Sequence, residues 1–287
     1  MPDCKEPLSA SQVKAILTQP NGTVLPDISG AYSVIEWHTP FFSALRALFA
    51  VSWQTGFRKN EVALNDSEAW HPGRLARSNV RYRKNDEYHA TLPVQELQSL
   101  GPGDHVVLIP PVSKYDPFCQ RFANKPIYLP FHDGPLCAAR AIRNLEMRFP
   151  ITGTLRHSAP LFALDAHFKP IRHSTLDKIF RAFIKLIVPP ERVCQYSMHS
   201  FRIGLASALL LAGKSHPLIQ ALLRWASPES LSRYARLQPI AYGQHLIDAS
   251  MVEVSGRTSL NLPRLDNDDI VAQCQSLVHQ ASTESPA

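Results

Sequence analysis

Residues 41–53 (FFSALRALFAVSW) constrain this chain more than any other stretch. Read as a helix, the run is apolar on nearly every side, so it belongs in the middle of a core rather than at its edge. Thr55-Gly56-Phe57 breaks it, and residues 58–64 (RKNEVAL) start a new turn of mixed character. A chain of 287 residues with 45% apolar content can build one large or two modest domains around such a helix.

The elements around it are of mixed type. Residues 8–17 predict a short first helix, capped by Ser9 or Ser11, within a linker spanning residues 1–30. Residues 79–82 and 87–92 predict strands about a polar turn at Lys84-Asn85-Asp86. A clearer pair, 105–109 (HVVLI) and 126–129 (PIYL), flanks SKYDPFCQRFANK, whose composition suits an exposed hairpin loop. Further on, residues 136–148 predict a helix stopped by Pro150, and 161–163 a short strand. Residues 174–187 predict an amphipathic helix with Ser174 or Thr175 as cap and Pro189-Pro190 as its stop. The expected fold class is α+β, mostly α-helical, with a small antiparallel β-sheet. Its main domain spans residues 31–250, and residues 251–287 form a polar tail with one helix at 269–279 (DIVAQCQSLVH).

Charge narrows the partners. The formal net charge is +6, yet from residue 251 onward five acidic residues face two basic ones, so the first 250 residues carry a surplus of nine basic groups. That favours a polyanionic partner. The five cysteines are scattered, without a CxxC pair, which speaks against a zinc site or a disulfide framework and for a reducing compartment. The sequence has neither a signal peptide nor an apolar run of membrane length. The expectation is a soluble intracellular protein, nuclear in a eukaryote and cytoplasmic otherwise, with no membrane partner.

The stretch 196–234 carries the chemistry. His199-Ser200-Phe201-Arg202 opens an Ala/Leu-rich run that ends at Gly213, with Pro217 opening the next helix. A helix over 199–212 sets His199 and Arg202 on one face, a single turn apart. Trp225 follows and, nine residues later, Tyr234. A basic, hydrogen-bonding face with a tyrosine nearby suits phosphate chemistry.

Taken together, these segments resemble the catalytic domain of the tyrosine recombinase (phage integrase) family over roughly residues 8–245. TGFRKNEVAL at 55–64 is similar to the first-arginine motif, with Arg58 and the acidic Glu61 three places on. HSFRIGLAS at 199–207 resembles the family's His-x-x-Arg, and LLRWASPESLSRY at 222–234 its His-or-Trp followed by the nucleophilic tyrosine. The hairpin 106–130 resembles the one that carries the family's lysine, for which Lys114 is the best match and Arg121 or Lys125 the alternatives if the register differs. Two departures stand out. Arg224 occupies the place where the family often has glycine, and the residues ahead of Arg58 are too few for the usual N-terminal DNA-clamping domain.

The resemblance implies DNA strand transfer through a 3′-phosphotyrosyl intermediate, without metal, ATP or other cofactor. Arg58 and Arg202 would fork onto the nonbridging oxygens and stabilise the transition state. His199 and Trp225 would line the same phosphate, the indole as a donor only. Tyr234 would be the nucleophile, Lys114 the general acid for the leaving 5′ oxygen, and Glu61 a support for a neighbouring cation. As an exposed site arginine, Arg202 is expected to contribute little to the core, so that Arg202→Ala abolishes cleavage and leaves the fold. The implied partners are double-stranded DNA, further copies of the chain on that DNA, and a clamp supplied by a separate domain or protein. Docking of residues 269–279 in cis or in trans would serve such an assembly.

Each residue also has an ordinary reading: His199 as a satisfied buried histidine, Trp225 and Tyr234 as core aromatics, Lys114 and the RYRK run at 81–84 as solvated surface. Rival functions are an inactive DNA-binding remnant of a mobile-element recombinase, a type IB topoisomerase, and a helical interaction scaffold.

Overall fold

The computed structural model describes residues 5–71, 73–111, 124–165, 167–224 and 241–253. Helix α2 (Pro40–Thr55) lies at the centre of the packing, and every residue from Phe41 to Thr55 except Arg46 is buried. Thr39 Oγ1 accepts the Phe42 amide at its start, where Pro40 costs no hydrogen bond because the first-turn N–H groups have no helical acceptor. Arg46 escapes the apolar interior by lying over the Trp37 ring, 4.4 Å from its centroid, and donating to the Leu17 carbonyl.

Helix α1 (Ala10–Leu17) buries Val13, Ile16 and Leu17 against α2 and starts at Ser9, whose hydroxyl accepts the Gln12 amide while the Gln12 side chain accepts the Ser9 amide. The short α3 (Lys59–Val62) follows α2 directly. Among the described residues four strands form one antiparallel sheet in the order β2-β1-β3-β4: β1 (Val80–Lys84), β2 (Glu87–His89), β3 (His105–Leu108) and β4 (Ile127–Pro130). Asn85 and Asp86, both at positive φ, make the β1–β2 turn, and β3 pairs with β4 from His105↔Pro130 to Leu108↔Ile127. Val80, Tyr82, Val106, Leu108 and Leu129 face the core. Helix α4 (Val94–Ser99), which the sequence did not announce, connects β2 to β3, and α5 (Ala138–Arg148) covers α2, β3 and β4.

The short α6 (Leu155–Ser158) precedes α7 (His173–Lys185), whose apolar face buries Leu176, Ile179, Phe180, Phe183 and Ile184. Helix α8 (His199–Leu211) packs on α2, α9 (His216–Leu222) follows it, and α10 (Ala241–Ser250) lies on α8 and β4. Gly213, at φ 72°, separates α8 from α9 as expected. Gly204 on α8 admits the lead-in to α1: a Cβ there would stand 2.0 Å from the Leu8 carbonyl oxygen.

The architecture is thus mixed helix and sheet. Two local expectations need correcting. Ser174 does not cap α7 but sits inside its first turn, where its amide and hydroxyl donate to Asp66 Oδ1 at 3.2 and 2.5 Å; a carboxylate 108 residues away supplies the cap. Residues 161–163 make no strand but isolated bridges, Ala76 with Pro160 and Ala163 with Pro170, because a proline in each pair has no N–H for a ladder. Among the described residues no helix is long and apolar enough to cross a membrane. The expected helix at 269–279 lies outside the described residues.

Candidate functional site

The site is built where the α2–α3 corner meets α8 and the end of α9. Gly56 ends α2 in the left-handed region at φ 58°, and a Cβ on it would come within 2.5 Å of Leu223 Cδ2 and 3.4 Å of Arg202 Cγ. Without that side chain the corner closes on the two helices. Arg202 binds the junction together: Nη1 donates to the Gly56 carbonyl at 2.7 Å and Nη2 to the Leu223 carbonyl. Its guanidinium is therefore a tie between three elements as well as a charge.

Arg58, half-buried, stands at the N-terminus of α3, and Glu61 one turn on accepts the Arg58 backbone N–H at 2.6 Å. The same carboxylate meets Arg224, with Oε1 3.1 Å from Nη1 and Oε2 at a longer 3.4 Å from Nη2. The Arg224 guanidinium also lies over the Phe57 ring, 4.2 Å from its centroid. Arg224 is buried and has φ 55°, a left-handed conformation that costs a residue with a Cβ roughly 1–2 kcal/mol. It follows the last turn of α9, where glycine is the usual solution. The two-pronged ion pair and the ring contact are what hold an arginine there.

His199 opens α8 and is exposed. Its imidazole is pushed below the usual histidine range, first by partial burial and then by the positive charges of Arg202 and Arg58. Arg202 is pushed down to about 9, by burial first and then by Arg58 and Arg224, with Glu61 opposing. At neutral pH it still carries its charge. Burial also lowers Arg224, while Glu61 works against that shift and Arg58 adds to it. Three guanidiniums and an imidazole thus act on one another electrostatically around a single carboxylate. Such a concentration of positive charge is suited to an anion with several oxygens.

Of the residues singled out in the sequence, the structure brings together Arg58, Glu61, His199 and Arg202. Lys114, Arg121, Trp225 and Tyr234 lie outside the described residues, and Lys125 is exposed just before β4. One expectation is overturned. Arg202 is only 3% exposed and bonded to two backbone carbonyls, so it belongs to the core as much as to the site. Arg224 entered the sequence reading only as a missing glycine; its pairing with Glu61 bridges 163 positions and has no local signature. Among the described residues no three His, Cys, Asp or Glu side chains group so as to hold a metal ion.

No protein-family model matches the chain, and comparison with curated proteins and with solved structures found no match.

Proposed function

We propose that this chain is a DNA strand transferase of the tyrosine-recombinase kind, the reading implied by the motifs around Arg58, His199, Arg202 and Tyr234. The observation that carries it is the convergence of Arg58, His199 and Arg202 at one junction, from segments more than 140 positions apart. The order of the four motifs along the chain supports the same reading.

In this reading Arg58 and Arg202 hold the nonbridging oxygens of one phosphate and stabilise the charge that gathers on them. His199, whose imidazole is pushed below the usual histidine range by burial and then by Arg202 and Arg58, accepts the Tyr234 proton as the phenolic oxygen attacks phosphorus. The bond from phosphorus to the 5′ oxygen breaks, and Lys114 supplies that oxygen with a proton. A 5′ hydroxyl, giving its proton to Lys114, then attacks the phosphotyrosine; the tyrosyl oxygen leaves with the proton that His199 took, and the diester is restored. The tyrosyl ester conserves the bond energy throughout, so the sequence of steps needs no nucleotide hydrolysis.

The burial of Arg202 favours one alternative, a DNA-binding remnant in which that arginine serves only the fold. A nicked duplex that loses, after cleavage, the short fragment carrying the freed 5′ hydroxyl separates the two. The proposal predicts a covalent protein–DNA adduct that Tyr234→Phe abolishes. Salt-sensitive DNA binding without adduct would establish the remnant, and adduct with relaxation of supercoils but no intermolecular joining would establish a type IB topoisomerase.

A further inference from the structure

The end of α2 is joined to the start of α5 through one imidazole. Ala138 is the first residue of α5, so its amide has no helical acceptor, and it donates to Gln54 Oε1 at 3.1 Å. Gln54 Nε2 lies 2.8 Å from His132 Nε2, and His132 Nδ1 lies 2.9 Å from the Asp133 carbonyl oxygen. Both ends of this chain of bonds are backbone groups of fixed polarity, and they dictate what lies between. A backbone N–H can only donate, so Oε1 faces Ala138 and the Gln54 NH2 group faces the histidine. A carbonyl can only accept, so the imidazole proton is on Nδ1 and Nε2 receives the bond from Gln54. The set of bonds is complete only with a neutral ring.

We propose that His132 is an acid-released latch between α2 and the turn into α5, closed by the neutral imidazole and opened when its Nε2 takes a proton. Protonation sets a ring N–H against the Gln54 NH2 group, donor against donor. Two routes relieve the conflict. The Gln54 amide turns over to offer the ring an oxygen, and Ala138 loses its acceptor; or the ring, half-buried at the edge of the turn, leaves, and the Gln54 NH2 group loses its own. Gln54 is 1% exposed and Ala138 is fully buried, so water does not replace what is lost. Either way the tie breaks. It holds α2 two residues ahead of Gly56, whose carbonyl accepts from Arg202.

Among the described residues, the charged groups acting on this imidazole are Asp133 in the same turn and Arg140 on α5, whose Nη2 donates to the His132 carbonyl and to Asp133 Oδ1. The Cys137 thiol lies alongside, accepting the His132 amide and donating to the Pro130 carbonyl. Burial pushes the imidazole below the usual histidine range; the bond to the Asp133 carbonyl opposes that shift, Arg140 adds to it and the Asp133 carboxylate opposes it. With the folded midpoint depressed, the latch contributes its stability in full above about 6.5 and loses it as pH falls through the folded midpoint.

The test is an NMR titration of the full chain that follows the His132 ring together with hydrogen exchange at the Ala138 amide and the Gln54 NH2 group, corrected for intrinsic rates. It needs no DNA, so its outcome is independent of the strand-transfer reading. One of those two donors should lose protection about tenfold or more as pH falls through the His132 midpoint, while the amide of Leu145, buried further along α5, keeps its own. Gln54→Glu should raise the His132 midpoint by about one unit or more and remove the acid step, because a carboxylate accepts from Ala138 and from an imidazolium at once. Should that variant not fold, His132→Asn replaces it: with no group to titrate, the step should vanish. Protection that stays flat through the His132 midpoint at both donors would overturn the proposal, as would a loss shared by Leu145, a midpoint that Gln54→Glu leaves unmoved, or a step that survives His132→Asn.

Discussion

Among the described residues, two clusters of arginine and glutamate differ in how they are buried. In the first, Glu146 on α5 meets Arg77 Nη1 at 3.1 Å and Arg156 Nη1 at 2.7 Å, with all three residues at most 5% exposed. Arg156 completes the closure by donating to the carbonyls of Ile151 and Arg77 at 2.9 and 2.8 Å. The neighbouring Tyr82 hydroxyl is pushed well above the usual tyrosine range, by burial first and then by Glu146, with Arg156 and Arg77 opposing. In the second, a single Glu61 faces Arg58, Arg202 and Arg224, with the exposed His199 at its edge. The first cluster is sealed and serves the fold. The second has the exposed His199 at its edge, where an anion from outside can meet it.

The largest effect expected from this contrast is on stability. Glu146→Gln leaves two buried guanidiniums without their carboxylate and should cost about 3–5 kcal/mol in urea denaturation. The folded fraction should form adduct at the wild-type rate; a defect beyond the loss of folded protein would break the distinction between the clusters. Arg202→Ala comes next, because it belongs to both roles. It should abolish adduct formation and also cost roughly 2–3 kcal/mol through its charge-assisted bonds to Gly56 and Leu223. Loss of activity with unchanged stability would mean that the carbonyl contacts are dispensable.

The smallest effect is a titration. His199 has a depressed midpoint, so between that midpoint and about 6.5 the unfolded chain binds more protons at this group than the folded one. Its contribution to stability therefore rises with pH through that window and is lost as pH falls through the folded midpoint. Adduct formation should rise over the same interval if the neutral imidazole is the base. Arg58→Ala should move the midpoint upward by removing one of the two cations that act on it, and an unchanged midpoint would place Arg58 outside the cluster.

What the sequence made legible was whatever is encoded locally. The apolar run at 41–53 announced α2, the short apolar runs at 105–109 and 126–129 about a polar loop announced β3 and β4, and Ser9 capped α1 as its spacing suggested. The His199/Arg202 pair was readable from helical periodicity, and Arg58 with Glu61 from the resemblance of residues 55–64 to a first-arginine motif. What escaped depends on partners far apart in sequence. Asp66 caps α7 across 108 positions, Arg156 reaches the Arg77 carbonyl across 79, and Arg224 reaches Glu61 across 163. Burial of Arg202 was missed for the same reason: its two acceptors are set by where the α2–α3 corner and α9 dock, not by the helix that carries it.

The central claim is that Arg58, His199 and Arg202 surround one phosphate of the DNA. The most direct measurement follows the His199 imidazole by NMR in the Tyr234→Phe chain, which leaves the strand intact, with and without a saturating nicked duplex. A phosphate seated among these residues adds negative charge beside the imidazole, so the account predicts that its midpoint rises by about one unit or more on binding. A midpoint that stays where it was while the duplex is bound would contradict it.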